Sequence, residues 1–456
     1  MRYNCVKLTD IFILFNKGDI AIMISREEYE NYVIILRGEL VPAMGCTEPI
    51  AIAYASSKAR EILGEEVRHI HVSCSGNIVK NVKGVIVPNS GGQKGIEAAA
   101  ILGAVGGDSS RELEVISSTT DEARALTRKL VRENLCDVSL AEDVPNLYIE
   151  VTAEGESHTS TVKIENSHTN ITLIKRDNNI ILERLPEKVS IKEEVTSGDK
   201  SMMTLRGIID FADTLEISDV EEIFDRQTEY NVRISQEGLD NKWGACIGKT
   251  MIETWGDDVR TCACARAAAG SDARMSGCPL PVIINSGSGN QGITVTLPVV
   301  EYAERWRISR TKMYRALAVS NLVSIYIKHY IGSLSAFCGA VSAASGAGAG
   351  ITYMAGGDYA SIGRTITNTL ANVGGIVCDG AKPSCAAKIA SSVHAAILAH
   401  HMSMNDDEFR GGEGFVEDDV ERTIKNMGYI GKIGMKETDR EILNVMIDRV
   451  DVDSCL

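Results

Sequence analysis

The sequence lacks features that would place the protein on a membrane or on nucleic acid. A membrane-spanning helix needs about 20 consecutive apolar residues, and the apolar run Ile11–Phe15 is broken at once by Asn16–Asp19. Basic residues are not in excess, because 47 Lys and Arg stand against 62 Asp and Glu, for a net charge of −15. Since an acidic surface repels phosphate backbones, we expect neither a membrane nor a nucleic-acid partner.

An export signal is missing as well. The apolar segment near the start is too short for a secretory signal, and no small-residue cleavage site follows it. We therefore expect a cytoplasmic protein in which residues 1–22 are either a loosely attached extension or an over-long start that precedes a working chain beginning near Met23. In that reducing compartment the 12 cysteines should not form a disulfide framework. Most should be small buried residues, so the question is which of them do something else.

Secondary-structure patterns differ between the two halves of the chain. Alternation of apolar and polar residues predicts antiparallel strands at Leu147–Ala153, Ser160–Glu165 and Asn170–Lys175, and a further strand is predicted at Val82–Val87. After about Thr204, helical periodicity dominates to the end. The sequence therefore predicts an α+β fold whose N-terminal part is mixed α/β and whose C-terminal part is mostly helical.

This change of pattern also predicts two domains. We place an α+β domain at residues 23–203 and a mostly helical domain at residues 204–456, with the boundary in the charged segment Pro186–Lys200. The segment Ala336–Gly350 of the helical domain consists almost entirely of Ala, Gly and Ser. Such small residues allow helices to pack closely, either around each other or around a cofactor.

Three cysteines of the helical domain suggest a sulfur-ligated centre. Cys385 follows a helix-start signal, Pro383-Ser384, and therefore lies in the first turn of a helix, where free N–H groups favour a thiolate. Cys378 and Cys338 precede it, also among small residues and without a partnering histidine. Soft thiolate ligands suit an iron–sulfur centre better than a closed four-ligand zinc site. The alternative at this point is three buried apolar cysteines.

A fourth cysteine, Cys46, stands in a loop rather than in a regular element, which is unusual for a packing residue. We interpret it as an active-site thiolate that either occupies an open metal position or acts on a substrate proton. Buried packing is the alternative interpretation. Glu48, two residues later, is a second candidate base, although a loop carboxylate is more often exposed.

Two Asn-Ser-Gly turns are candidates for binding a small carboxylate, because consecutive N–H groups at a helix start bind anions. Ordinary tight-turn chemistry is the alternative. The candidate substrate-binding residues are Asn89, Ser90, Gly91, Asn285, Ser286, Ser288, Asn290 and Gln291. No phosphate-binding loop is present, because the glycine and lysine spacing of that motif is absent.

Five motifs together resemble the L-cysteine desulfidase family, within the iron–sulfur serine dehydratase alpha superfamily. They are Gly45–Pro49, Pro88–Gly95, Asn285–Gly292, Leu334–Gly339 and Cys378–Cys385. The resemblance runs from about Met23 over nearly the whole chain. It implies that Cys338, Cys378 and Cys385 hold a [4Fe–4S] cluster whose fourth iron is open to substrate. The spacing from Cys378 to Cys385 is shorter than in the serine dehydratases, which favours the desulfidase branch.

The resemblance implies a carbon–sulfur lyase that converts L-cysteine to hydrogen sulfide, pyruvate and ammonia. An open iron is a Lewis acid with strong affinity for sulfur, so it can accept the leaving group without a redox change. We expect a small amino-acid substrate and a homo-oligomer, such as a dimer. The alternatives are an iron–sulfur L-serine dehydratase and a non-catalytic iron–sulfur sensor, which would lack a substrate-binding turn. A pyridoxal phosphate lyase is disfavoured because no lysine motif supports one.

Overall fold

The computed structural model describes residues 4–8, 11–16, 19–184, 198–332 and 335–455, with side chains from Ile24 to Ser454 within those ranges. Most of the predicted boundary segment Pro186–Lys200, and Leu334 of one family motif, lie outside the described residues. The side chains of the predicted extension, residues 1–22, also lie outside them.

The strands of the described residues lie almost entirely in the first half of the chain. They are β1 (Asn4–Leu8), β2 (Ile11–Asn16), β3 (Asp19–Ser25), β4 (Pro42–Met44), β5 (His69–Ser75), β6 (Cys136–Ala141), β7 (Tyr148–Glu154), β8 (Thr159–Glu165), β9 (Ile171–Arg176), β10 (Asn179–Glu183) and β11 (Pro281–Ile283).

Helices occupy both halves and dominate the second. They are α1 (Arg26–Glu39), α2 (Thr47–Leu63), α3 (Gly76–Val82), α4 (Gly95–Gly106), α5 (Asp121–Arg132), α6 (Leu205–Thr214), α7 (Glu221–Asp240), α8 (Ile247–Trp255), α9 (Val259–Met275), α10 (Gly289–Arg305), α11 (Arg310–Ile331), α12 (Gly339–Met354), α13 (Tyr359–Val373), α14 (Cys385–Met404), α15 (Val420–Tyr429), α16 (Lys436–Met446) and α17 (Val452–Cys455). None of the helices in the described ranges is long and apolar enough to cross a membrane.

The N-terminal part is built on a six-stranded sheet with the order β10-β9-β8-β7-β5-β6. All neighbours are antiparallel except β5 and β6, which are parallel. Alternate residues of β7, such as Ile149 and Val151, are fully buried, because successive side chains of a strand point to opposite faces. Helix α2 packs on this sheet and α4 packs on α2.

The predicted α+β fold class is confirmed, with antiparallel strands in the N-terminal part and helices in the C-terminal part. Strands β7, β8 and β9 correspond to the three predicted antiparallel strands. The strand predicted at Val82–Val87 is wrong, because α3 ends at Val82 and a loop follows. Val85 and Val87 are buried in that loop, and an alternation of buried and less buried residues resembles a strand whatever the backbone does.

Small residues allow the helices of the C-terminal part to approach closely, as the sequence predicts for Ala336–Gly350. Gly346 of α12 lies against the backbone of Ser320 in α11, so that a Cβ atom there would overlap the Ser320 carbonyl oxygen. The close approach places the first turn of α12, which follows Cys338, deep in the helical part.

The two parts of the chain are interleaved rather than joined at one boundary. Helix α1 packs against the helical part, where Tyr29 donates a 2.7 Å hydrogen bond to Asp219. Strand β4 pairs with β11 and leads directly to Cys46. Near the other end, α16 packs on α3 through an ion pair between the buried Lys80 and Asp439. The domain limits 23–203 and 204–456 stay a prediction.

Candidate active site

A cavity of about 420 Å³ lies between the sheet-containing part and the helical part. Four cysteines line it, and they are the four that the sequence singles out: Cys46, Cys338, Cys378 and Cys385. They come from three separate regions of the chain, so only the fold brings them together.

Three of these cysteines stand at helix N-termini. Cys46 is the residue that caps α2, Cys338 caps α12, and Cys385 is the first residue of α14. The N-terminus of α10 also opens into the cavity at Ser288. Free backbone N–H groups and the positive ends of the helix dipoles stabilise anions such as thiolates. The cavity is thus electrostatically suited to sulfur anions despite the acidic composition of the chain.

Backbone pairing holds the Cys338 and Cys378 loops side by side. The Cys378 amide donates a 2.6 Å hydrogen bond to the Ala336 carbonyl, and the Cys338 amide donates a 3.1 Å bond to the Ile376 carbonyl. Phe337 and Val377 form an isolated antiparallel bridge between them. This pairing places two thiols that are distant in sequence on adjacent stretches of backbone.

The loop from Cys378 to Cys385 is fixed against the N-terminal part. Lys80 donates a 3.3 Å hydrogen bond to the Cys378 carbonyl oxygen. Gly380 has a φ of +91° and lies so close to the Lys80 carbonyl that a Cβ atom would overlap it, so only glycine fits there. Within the loop, Asp379 forms ion pairs with Lys382 and Lys388. The path of the loop is therefore specified by contacts on both of its sides.

Burial raises the pKa of the Cys46 and Cys385 thiols and raises that of Cys338 to about 12. The charges of Cys338, Cys378 and Cys385 also influence one another, which raises the pKa of Cys338 further. A bound metal deprotonates a coordinating thiol outright, because its own charge exceeds every other local charge. Without such a charge nearby, burial keeps the Cys46, Cys338 and Cys385 thiols protonated more strongly than free cysteine.

The donor set, three thiols around one cavity, has the chemistry of a sulfur-ligated cluster. Within the described ranges, no group of three or more His, Cys, Asp or Glu side chains is arranged to hold a single metal ion. In a [4Fe–4S] cluster each thiolate binds a different iron, so the ligands stand around a larger object. Three thiols around a cavity of this size, next to small residues such as Gly339 and Ala381, are compatible with such a cluster.

The family model described as serine dehydratase alpha chain matches residues 110–444. The chain belongs to that family. It is a family of iron–sulfur dehydratase-type lyases, which supports an enzyme that acts on a small molecule.

Relatives match over nearly their whole length. A UPF0597 protein of Lachnoclostridium phytofermentans is 49% identical over 92% of this chain and 100% of its own. The corresponding proteins of Finegoldia magna and Treponema denticola are 47% and 45% identical, over 92% and 93% of this chain and 100% and 99% of their own. The alignments therefore span nearly all of each of these relatives.

Cys46 forms a hydrogen-bonded pair with Glu48 in this member of the serine dehydratase alpha chain family. The Cys46 thiol donates to Glu48 Oε2 over 3.2 Å, and Asn81 donates to Glu48 Oε1 over 3.2 Å. Glu48 is buried, unlike the exposed loop carboxylate that is the commoner case. Cys46 also packs beside Cys385. A thiol, its proton acceptor and the three other cysteines thus meet in one place.

The two predicted carboxylate-binding turns differ in their position relative to the cavity. Four predicted residues of the second turn line the cavity together with Gly287, namely Ser286, Ser288, Asn290 and Gln291. Asn285 lies directly behind them, where its side chain is buried and donates to Asn321 over 3.0 Å. The three candidates of the first turn, Asn89, Ser90 and Gly91, are not among the lining residues. Only the second turn faces the cysteines.

The cavity residues that were not predicted from the sequence include Arg274, Lys328 and His168. Arg274 is near the end of an alanine-rich helix, Lys328 is in the last turn of α11, and His168 is in a turn between two strands. No local motif marks them, and only their shared burial around one cavity identifies them. Burial lowers the pKa of Lys328 to about 8, against the opposing influence of the Cys378 and Cys338 charges. It also lowers the pKa of His168.

Proposed function

We propose that the protein is a [4Fe–4S]-dependent lyase that eliminates sulfide from L-cysteine to give hydrogen sulfide, pyruvate and ammonia. The observation that supports it most is the cavity in which Cys338, Cys378 and Cys385 meet Cys46 and the turn at Ser286–Gln291. The three cysteines at the paired loops would hold the cluster. Membership of the serine dehydratase alpha chain family supports the class of reaction.

The cluster, when bound, supplies a Lewis-acidic iron with affinity for the sulfur of the substrate. The remaining chemistry belongs to the chain itself. Loss of the α-proton and cleavage of the Cβ–S bond convert cysteine to aminoacrylate and sulfide. Aminoacrylate then tautomerises to an imine, which water hydrolyses to pyruvate and ammonia. The sum is L-cysteine and water to pyruvate, ammonia and hydrogen sulfide, with no electron acceptor needed.

Cys46 is the proposed base for the α-proton. A thiol must first lose its own proton, and Glu48 Oε2 accepts a hydrogen bond from it over 3.2 Å. Burial and the charge of Glu48 raise the pKa of Cys46, and the charge of Arg274 offsets part of that rise. Transfer of the thiol proton to Glu48 would produce a thiolate at the N-terminus of α2, where the helix dipole stabilises it.

The choice of L-cysteine over L-serine rests on the motifs and on the thiol-rich cavity. Both substrates carry the same carboxylate and ammonium groups, so the α-carbon end of the site serves either one. A soft iron and buried cysteine side chains favour sulfur as the leaving atom. Unpartnered polar atoms in the cavity disfavour a non-catalytic sensor, because such atoms need a ligand.

The decisive experiment is anaerobic purification followed by measurement of sulfide, pyruvate and ammonia from L-cysteine beside L-serine. We expect a brown protein with broad visible absorbance that is lost in air, and faster release of pyruvate from L-cysteine. A colourless, air-stable and fully active enzyme would disprove the cluster. Faster turnover of L-serine would reverse the assignment of substrate.

Cys46→Ser tests the proposed base. This variant should retain iron and lose most turnover, because the serine hydroxyl is a far weaker base than a thiolate at that position. Cys264→Ser is the matched control, since Cys264 is buried in α9 and does not line the cavity. Full turnover in the Cys46 variant would remove this residue from the mechanism.

We also propose a cytoplasmic location and a homo-oligomer, such as a dimer. The ten described free cysteines and an air-sensitive cluster both suit a reducing compartment. Light scattering coupled to anaerobic size-exclusion chromatography would measure the oligomeric state, and a mass equal to one chain would contradict this part of the proposal.

A further inference from the structure

The cavity contains a buried arginine without an anionic partner. Arg274 is only 2% exposed, and its Nη1 donates a 3.1 Å hydrogen bond to the side chain of Asn290. Its Nε atom is buried and has no hydrogen-bond partner. Among the residues whose side chains the structure describes, no carboxylate lies within the 4.0 Å of an ion pair with its guanidinium. The positive charge is therefore left for a ligand.

A buried guanidinium without a counter-ion is costly, because it loses its hydration and gains no Coulomb attraction in return. Its planar fork of donors matches a carboxylate, which can accept two parallel hydrogen bonds from it. An anion that enters the cavity thus gains the most at Arg274. The carboxylate of an amino acid is such an anion.

Two more unpartnered atoms lie in the same cavity. Gln291 Oε1 and His168 Nε2 are both buried without a hydrogen-bond partner. Gln291 packs against Gly339, where a Cβ atom would come within 2.8 Å of the Gln291 amide carbon. A buried acceptor such as Gln291 Oε1 suits an ammonium group, which carries only donors. Acceptor and guanidinium together match the two charged groups of an α-amino acid.

The two buried cations of the cavity lie on different elements. Lys328 is in the last turn of α11, whereas Arg274 bonds Asn290 of the second Asn-Ser-Gly turn. Arg274 is therefore the buried cation beside the turn that is predicted to bind a carboxylate.

We propose that Arg274 binds the α-carboxylate of the substrate and that Gln291 Oε1 accepts a hydrogen bond from its ammonium group. The inference rests on the proposed function in one respect, namely that the substrate is an α-amino acid. Gln291 borders Gly339, the residue after Cys338, so the proposed ammonium site lies beside a predicted cluster ligand. The substrate class that this site would take is a small α-amino acid.

The test uses two inhibitors of the anaerobic holoenzyme that each lack one charged group. 3-Mercaptopropionate has the carboxylate and the thiol, and cysteamine has the ammonium and the thiol. Arg274→Gln should weaken the binding of 3-mercaptopropionate about 100-fold and change the binding of cysteamine less than about twofold. Only 3-mercaptopropionate loses a charge-assisted pair of hydrogen bonds. The KM for L-cysteine should rise more than kcat falls, and Arg274→Lys should recover part of the loss.

Gln291→Leu should have the opposite effect, with weaker binding of cysteamine and nearly unchanged binding of 3-mercaptopropionate. It also keeps the inference testable if Arg274→Gln fails to fold. Arg364→Gln is the matched control, because Arg364 is a largely buried arginine that does not line the cavity. Equal weakening of both inhibitors by Arg274→Gln, or no weakening, would overturn the inference.

Titration with L-alanine separates this inference from the proposed function, because L-alanine has the charged groups and no leaving group. Binding of L-alanine that depends on Arg274 in a protein without L-cysteine turnover would support the carboxylate site and refute the lyase. Turnover of L-cysteine with unchanged kinetics in Arg274→Gln would refute the carboxylate site alone. Absence of L-alanine binding to the unmodified protein would also refute the site.

Discussion

The two Asn-Ser-Gly turns have similar sequences and very different surroundings. Both follow a run of Val and Ile residues and precede a helix that begins with Gly and Ile or with Gly and Asn. In the first turn, Arg124 donates to the Asn89 carbonyl over 2.9 Å and also to the Asn89 side chain. The Ser90 hydroxyl accepts from the Gln93 amide over 2.9 Å. The first turn is therefore closed on itself and on α5.

The second turn leaves polar atoms free where it meets the cavity. Its innermost residue, Asn285, is bonded to Asn321 and Ser324, which fixes the turn from behind. Toward the cavity, Gln291 Oε1 has no hydrogen-bond partner. The Nε atom of Arg274, which lies against Gly289 at the start of α10, has none either. The same local pattern thus gives a structural turn in one place and a candidate binding turn in the other. Neighbouring residues, rather than the turn itself, make the difference.

The largest expected effect is that of replacing one of the cavity cysteines that the second turn faces. Cys385→Ser should abolish iron retention and reduce turnover to background, because an alkoxide is a poor ligand for a [4Fe–4S] cluster. Iron content per chain and visible absorbance after anaerobic purification measure this. Cys264→Ser should bind iron like the unmodified protein. Unchanged iron in Cys385→Ser would remove this residue from the proposed ligand set.

The next test compares equivalent residues of the two turns. Gln291→Ala should lower kcat/KM about 100-fold, because a substrate ammonium loses its acceptor. The Gln93 side chain donates to the Ser90 carbonyl over 3.1 Å. Gln93→Ala should therefore leave kcat/KM within about twofold of the unmodified protein and lower the free energy of unfolding by about 1 kcal/mol. Steady-state kinetics and denaturant unfolding of both variants measure the contrast. Similar kinetic losses in the two variants would show that the first turn also serves the site.

Removal of the arginine that closes the first turn should affect stability alone. Arg124→Ala leaves the Asn89 carbonyl and side chain without a donor, which should cost about 2 kcal/mol. Its KM for L-cysteine should stay unchanged, since Arg124 does not line the cavity. Thermal unfolding and kinetics on the same preparation are the measurements. A raised KM with unchanged stability is the result that would contradict the assignment.

The smallest effect concerns α9, the helix that carries Arg274. Asp272 is buried and accepts hydrogen bonds from the amides of Ala245, Ile247 and Gly248, and burial raises its pKa to about 6. The folded state therefore holds this proton more tightly than the unfolded state, so its stabilising contribution is present at low pH and is lost as the pH rises through 6.

Asp272→Asn should remove that dependence. Between pH 4.5 and pH 7.5, the melting temperature of the variant should rise relative to that of the unmodified protein. The rise corresponds to about 1 kcal/mol in the free energy of unfolding. Melting curves at several pH values under nitrogen measure it. A difference that is constant across this range would mean that Asp272 is ionised in the folded protein throughout.

Sequence patterns predicted the elements better than the contacts between them. Periodicity identified strands β7 to β9 and the long helices, because each pattern is set by neighbours along the chain. It failed at Val85 and Val87, whose burial depends on packing against other elements. The motifs singled out all four cysteines of the cavity. The sequence did not identify Arg274, Lys328 and His168 as site residues, because burial of a single charged or polar residue leaves no pattern in the neighbouring sequence.

The contact between Lys80 and the Cys378 loop also determines when the site can form during synthesis. Lys80 is held by Asp439 of α16 while it bonds the Cys378 carbonyl. The loop therefore reaches its described form only after residue 439 has left the ribosome and folded back onto α3. Nearly the whole chain must therefore be made before this contact can hold the loop between Cys378 and Cys385, and a chain that ends before residue 439 lacks it.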